Sequence, residues 1–135
     1  MTRIIIISFL LILLPLVSYS EELTNYEKGE LLGSLGFAAM TIDAYYEICY
    51  SNGVRNDNNL NGIDKLAKDK WGFAFSEMMI KNDERTGRDS RQEAHKLIHY
   101  VIKQTGGCNS PGMEKWFKKM QLIHEQNLDK FHSAR

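Results

Sequence analysis

Apolar positions along the chain fall into two regimes. From Ile4 to Val17 they are almost unbroken and follow a single cation, Arg3; beyond Glu21 they recur every three or four residues among charged ones. The first regime has the parts of a secretory signal: one cation, a short apolar core broken by Pro15, and the small residues Ser18 and Ser20 three and one positions before Glu21. It is short for a membrane span, which needs about 20 apolar residues, and no second such run follows. The expectation is a cleaved leader, residues 1–20, and one exported domain, residues 21–135.

The second regime is helical nearly throughout. Thr24-Asn25-Tyr26-Glu27 has capping-box spacing, so a helix starts there and runs to about Tyr50, where Asn52-Gly53 stops it. Leu31, Leu35, Ala38, Ile42, Tyr45 and Cys49 alternate by four and three and form one inward stripe. Gly29, Gly33 and Gly36 weaken that helix and predict a bend or a close crossing. A second helix is predicted from Gly62 to Lys81 with Asn61 as its N-cap, burying Ile63, Ala67, Trp71, Ala74, Phe75 and Met78. A third begins at Ser90, where Ser90-Arg91-Gln92-Glu93 has the spacing of a second capping box, buries Ala94, Leu97, Ile98, Val101 and Ile102, and ends at Gly106-Gly107. A fourth starts with Ser110 as N-cap and Pro111 at the first helical position, then continues through Met113, Trp116, Phe117, Met120 and Ile123 to about Leu128. No stretch alternates like a strand, so the fold class is all-α, a four-helix bundle-like domain.

Charge narrows the function. The chain has 17 basic and 17 acidic residues, and loss of the leader with Arg3 leaves a net charge of −1. Nucleic-acid binders collect a large basic excess to displace phosphate counterions, so near-neutrality argues against that class. Cys49 and Cys108 are the two cysteines, and in an oxidising compartment they have one intramolecular pairing open to them. A disulfide between the end of the first helix and the turn before the last is expected. No Cys-x-x-Cys spacing lowers a thiol pKa, which argues against cysteine catalysis.

Candidate chemistry is sparse. His95 and His99 share a helix face, and His124, His132 and Met120 would complete a metal site only if the last helix packed beside them in register. The bland alternative is a pair of solvent-edge histidines. Asp57-Asn58-Asn59-Leu60-Asn61-Gly62 copies the first half of a calcium loop, but Lys68 stands where the bidentate glutamate belongs. Asp64 or Asp69 would have to substitute, and an Asn-rich turn capping a helix explains the same residues. No nucleophile elbow, phosphate-cradling loop or haem-attachment pair occurs, so neither an enzyme nor a cofactor is expected. Two polar segments, Ser51 to Asn61 and Asn82 to Asp89, are long for helix connections, and their Arg55, Arg85 and Arg88 are suited to carboxylates of a protein partner. Tyr45, Tyr46, Tyr50, Trp71, Phe73, Phe75, Trp116 and Phe117 exceed what one bundle face needs, which puts some of them at a partner surface.

One cysteine late in a long first helix, the tryptophan-containing stretch Leu66-Ala67-Lys68-Asp69-Lys70-Trp71-Gly72-Phe73, and a second cysteine just before an amphipathic last helix, Cys108 to Lys119, are similar to the immunity proteins of type VI secretion amidases. The resemblance extends over most of residues 21–135. It implies a periplasmic inhibitor that occupies the active-site cleft of a peptidoglycan amidase, often as a dimer. Two other readings stand beside it. A periplasmic acid-stress chaperone is similarly small, helical and held by one disulfide, and its four histidines would charge as pH falls. A small metal- or haem-binding helical protein would use His95, His99 and methionines.

Overall fold

Helix α1, Asn25–Cys49, is buried around most of its circumference along its second half, and every other helix packs on it. In this computed structural model, which describes residues 22–50 and 59–135, α2 (Asn59–Trp71), α3 (Phe75–Thr86), α4 (Ser90–Thr105) and α5 (Pro111–Ser133) wrap that central helix. The described residues contain five helices and no strand, so the chain is all-α. None of these helices is long and apolar enough to cross a membrane.

The centrality of α1 follows from its small residues. Gly36, Ala38, Ala39 and Ala44 are buried together with Leu32, Leu35, Met40, Ile42 and Tyr45, so neighbours approach from several directions and the predicted single stripe becomes a wrapped core. Gly36 is the closest approach: a Cβ there would lie 2.0 Å from Cγ of Phe75 on α3. Thr41, fully buried, satisfies its hydroxyl by donating to the carbonyl of Phe37 one turn back, 2.7 Å away. The Thr24–Glu27 capping box forms as the sequence predicts, with the Glu27 amide donating to Thr24 Oγ1 at 3.2 Å and the Thr24 amide donating to the Glu27 carboxylate at 2.8 Å.

The helix expected over 62–81 is two helices. Gly72 adopts φ +79°, a conformation that L side chains avoid, and Phe73 and Ala74 leave the helical path before α3 begins. The break resets the helical phase at Phe75. Met79, four residues on, is buried, and Met78, expected inside, is 36% exposed. Asn61 is not an N-cap either, because α2 is already helical from Asn59.

Caps at the next three helix starts come from aspartates, and each arrives from the preceding helix. Asp43 of α1 accepts from the backbone amides of Asn59 and Leu60, at 2.8 and 3.0 Å, and from the Asn59 side-chain amide. Asp64 of α2 accepts from the amide of Ser76 at 3.1 Å, at a helix whose own N-cap, Ala74, has no side-chain acceptor. Asp83 of α3 accepts from both the amide and the hydroxyl of Ser90, at 3.0 and 2.6 Å. The N-cap of α4 is therefore Asp89, whose carboxylate accepts from the Gln92 amide, and Ser90 is the first helical residue rather than the cap. Ser110 and Pro111 start α5 as the sequence predicts, with the Met113 amide donating to Ser110 Oγ at 3.1 Å. That helix outlasts Leu128 because Phe131 is buried and meets the Trp71 indole edge-on at 4.7 Å, and Lys70 donates to the carbonyls of Phe131 and His132.

Cys49 and Cys108 are bonded, with their Cα atoms 5.6 Å apart. The staple joins the last residue of α1 to the turn between α4 and α5, where Gly106 (φ +93°) and Gly107 (φ +126°) reverse the chain.

Candidate functional site

A polar and aromatic concavity adjoins the disulfide. It is a cleft of about 520 Å³ between the end of α1 and the first turns of α5. Its aromatic side is built by helical spacing: Tyr45, Tyr46 and Tyr50 project from the last turns of α1, and Phe117 comes from α5. Phe117 stacks on Tyr45 with centroids 4.1 Å apart, and Tyr46 and Tyr50 meet Tyr45 edge-on at 5.3 and 5.7 Å. Tyr45 is buried; Tyr50 is 48% exposed. Burial and the neighbouring Tyr50 hydroxyl push the Tyr45 phenol well above its ordinary range, so it stays a neutral hydroxyl at any physiological pH.

Polar groups make the opposite wall and rim: Asn109, Ser110, Gln121 and the pair Glu114–Lys118. Lys118 Nζ lies 2.7 Å from Glu114 Oε1 and holds that carboxyl below its usual range. The two charges cancel, leaving the cleft without net charge. The disulfide forms part of its lining, so the α1 wall and the α5 wall are covalently tied.

Arg85 and Arg88 lie elsewhere, at the corner between α3 and α4. The polar segment Asn82 to Asp89 is mostly helix, and the connection itself is only Gly87, Arg88 and Asp89. This corrects the long loop expected there: Gly87 at φ +67° closes α3 with a left-handed cap, and Asp83 on α3 caps α4 directly. Arg85 is exposed and touches Asn82 Oδ1 at 2.9 Å. Arg88 grips Glu93 through two bonds of 2.9 and 3.1 Å, so its fork is already used within the chain. Arg55 and most of the Ser51 to Asn61 segment lie outside the described residues. On α3 before Arg85, Met78 and Ile80 are exposed on either flank of the buried Met79, Ile80 at 53%.

Among the histidines, His95 Nε2 sits 2.9 Å from Glu47 Oε2, His99 and His132 are exposed, and His124 is half-buried on α5 with its Nδ1 buried and unpartnered. Burial lowers the His124 pKa against the smaller opposing pull of Glu125 and Asp43. Among the described residues no group of three or more His, Cys, Asp or Glu side chains gathers as a metal would require. Of the residues in the half-matching calcium loop, Asp57 and Asn58 lie outside the described residues, and the Asn59 amide and side chain bond Asp43, while Asp64 accepts from the Ser76 amide.

No protein-family model, curated protein or solved structure matches this chain. The cleft was legible in part, since Tyr45, Tyr46 and Tyr50 stand out as surplus aromatics. Asn109, Glu114 and Gln121 carried no signal, because only the crossing of α1 with α5 brings them opposite the tyrosines.

Proposed function

We propose that the chain is an exported, disulfide-stapled inhibitor, an immunity protein that binds a secreted peptidoglycan amidase. The observation that carries a binding role is the exposure of apolar side chains on α3, where Met78 and Ile80 flank the buried Met79 on the helix that ends in Arg85. Exposed methionine and arginine side chains are types that protein interfaces favour, and Arg85 offers a cation to a partner carboxylate. Rigidity supports the same reading. Asp64 anchors the start of α3 and Asp83 its junction with α4, so little conformational entropy is lost on docking. The amidase as target comes from the cysteine placement and the Leu66 to Phe73 pattern, and export comes from the apolar leader.

The test is survival of cells that produce a periplasmic amidase toxin from the same genome, with and without this protein. Ile80→Asp and Arg85→Glu should each abolish protection while leaving the melting temperature within a few degrees, as expected of exposed positions. No protection against any of the encoded amidases, or unchanged protection by both variants, would remove the proposal.

His124 favours a second reading, the acid-stress chaperone. A half-buried imidazole with an unpartnered Nδ1 charges at a cost as pH falls, which loosens α5 and bares the apolar face under it. Suppression of client aggregation near pH 4, absent at pH 7, together with no amidase protection, would select it.

A further inference from the structure

We infer that the cleft between the end of α1 and the start of α5 is a binding site for an uncharged sugar ring. The inference does not depend on the inhibitor reading, which uses α3.

Size and shape come first. A hollow of about 520 Å³ lies within the range of small-ligand sites and takes one or two pyranose rings. One wall is aromatic, and its most accessible member, Tyr50, offers a flat apolar face with a hydroxyl at its edge. A pyranose has the matching construction: one face of C–H groups that packs on an aromatic ring, and an equator of hydroxyls.

The polar wall selects the same ligand. Every sugar hydroxyl both donates and accepts, so a receptor needs groups of both kinds side by side. Asn109, Gln121 and the Tyr50 hydroxyl supply donors and acceptors on neutral side chains, whereas the Ser110 hydroxyl is spent on the Gly107 carbonyl and the Met113 amide. Tyr50 and Tyr45 hydroxyls are 3.4 Å apart, too long for a strong O–H···O bond, and each keeps hydrogen-bonding capacity for a ligand.

Charge disfavours the rivals. Glu114 and Lys118 pair at 2.7 Å on the exposed rim, so the cleft offers a phosphate or a cation no uncompensated charge. The cleft is also held open before any ligand arrives, because the Cys49–Cys108 bond ties its walls and Tyr45 and Phe117 stack behind it. A ligand therefore displaces water without having to order the site.

Calorimetric titration of the oxidised protein tests this, using chitobiose, methyl β-glucoside and methyl β-galactoside as probes and glucose 6-phosphate as the charged control. At least one neutral probe should bind saturably with a Kd below about 1 mM, and the phosphate should bind at least tenfold more weakly. Tyr50→Ala should weaken the neutral probe at least tenfold, Tyr50→Phe and Gln121→Ala about threefold, with far-ultraviolet circular dichroism unchanged. Ile80→Asp should leave sugar binding intact, which separates this site from the inhibitor surface. Failure of all three neutral probes to saturate overturns the inference. An unchanged Kd in Tyr50→Ala, or loss of amidase binding in that variant without any sugar binding, overturns it equally, the last by assigning the cleft to a protein contact.

Discussion

Asp64 on α2 accepts a hydrogen bond from the backbone amide of Ser76, 3.1 Å away in the first turn of α3. The helix it caps has Ala74 at the N-cap position, which has no side-chain acceptor, and is held on its other side by a 3.4 Å contact from the Ala74 amide to Glu77. A helix start leaves several amides unpaired, so an acceptor imported from a neighbour does the work of a local cap and also fixes the angle between the two helices. Asp43 and Asp83 repeat the arrangement at α2 and α4.

Removing the imported cap should therefore loosen α3 selectively. Asp64→Ala is expected to cost about 1 kcal/mol, within the range of lost N-caps. Asp43→Ala should cost more, about 2 kcal/mol, since three hydrogen bonds at a partly buried junction disappear together. Urea midpoints give the totals. Amide exchange should rise first at 75–79 for Asp64→Ala and at 59–63 for Asp43→Ala; uniform acceleration would contradict the local role.

The glycines of α1 should respond oppositely to alanine. Gly36→Ala places a methyl group against the Phe75 ring in a buried crossing and should destabilise by about 1–3 kcal/mol. At Gly33 a Cβ meets nothing within 4 Å, so Gly33→Ala should stabilise by about 0.5–1 kcal/mol through helix propensity. Thermal melts of the two variants should move in opposite directions.

Reduction of the disulfide releases a loop of 59 positions, which in the chain-entropy treatment corresponds to about 4 kcal/mol. Cys49→Ser with Cys108→Ser should lower stability by that order and widen amide exchange at the α4–α5 turn. Thiol labelling of the denatured, unreduced protein should detect no free thiol; stoichiometric labelling at both positions would contradict the bond.

Stability should fall on mild acidification through His124. Its folded-state pKa lies below the unfolded value of about 6.5, so the folded form binds fewer protons and the penalty is absent above that pH. As pH falls below about 6.5 the unfolded chain takes up the proton first, and stability declines until the folded pKa is passed. Urea midpoints between pH 8 and 5 should show this slope in the parent and a flatter one in His124→Gln. A second decline belongs to carboxylates such as Asp83 and Glu77, whose pKa values Ser90 and Lys68 respectively hold down, and it begins only as pH falls through the ordinary carboxylate range near 4.

Local signals determined much of this molecule. Thr24 with Glu27, Ser110 with Pro111, and Gly106-Gly107 are contained within a few residues, and each forms the cap or stop that its spacing predicts. The all-helical class and the Cys49–Cys108 pairing follow from apolar period and cysteine count, which involve no knowledge of neighbours. Where the deciding partner lies on another helix, the sequence had no means of showing it. The period of Ile63, Ala67, Trp71 and Phe75 reads through Gly72 as one helix, because the apolar residues stay four apart in sequence although the left-handed glycine breaks the backbone between them. Ser90 has the spacing of a cap, yet Asp83 and Asp89 take that role once α3 folds back. Likewise the tyrosines of α1 are apparent as an excess of aromatics, but their polar counterparts Asn109, Glu114 and Gln121 become a wall only when the disulfide and the Tyr45–Phe117 stack set α5 against α1. Periodicity and capping are properties of residues three or four apart, whereas a cleft and an imported cap are properties of helices brought together by a common core.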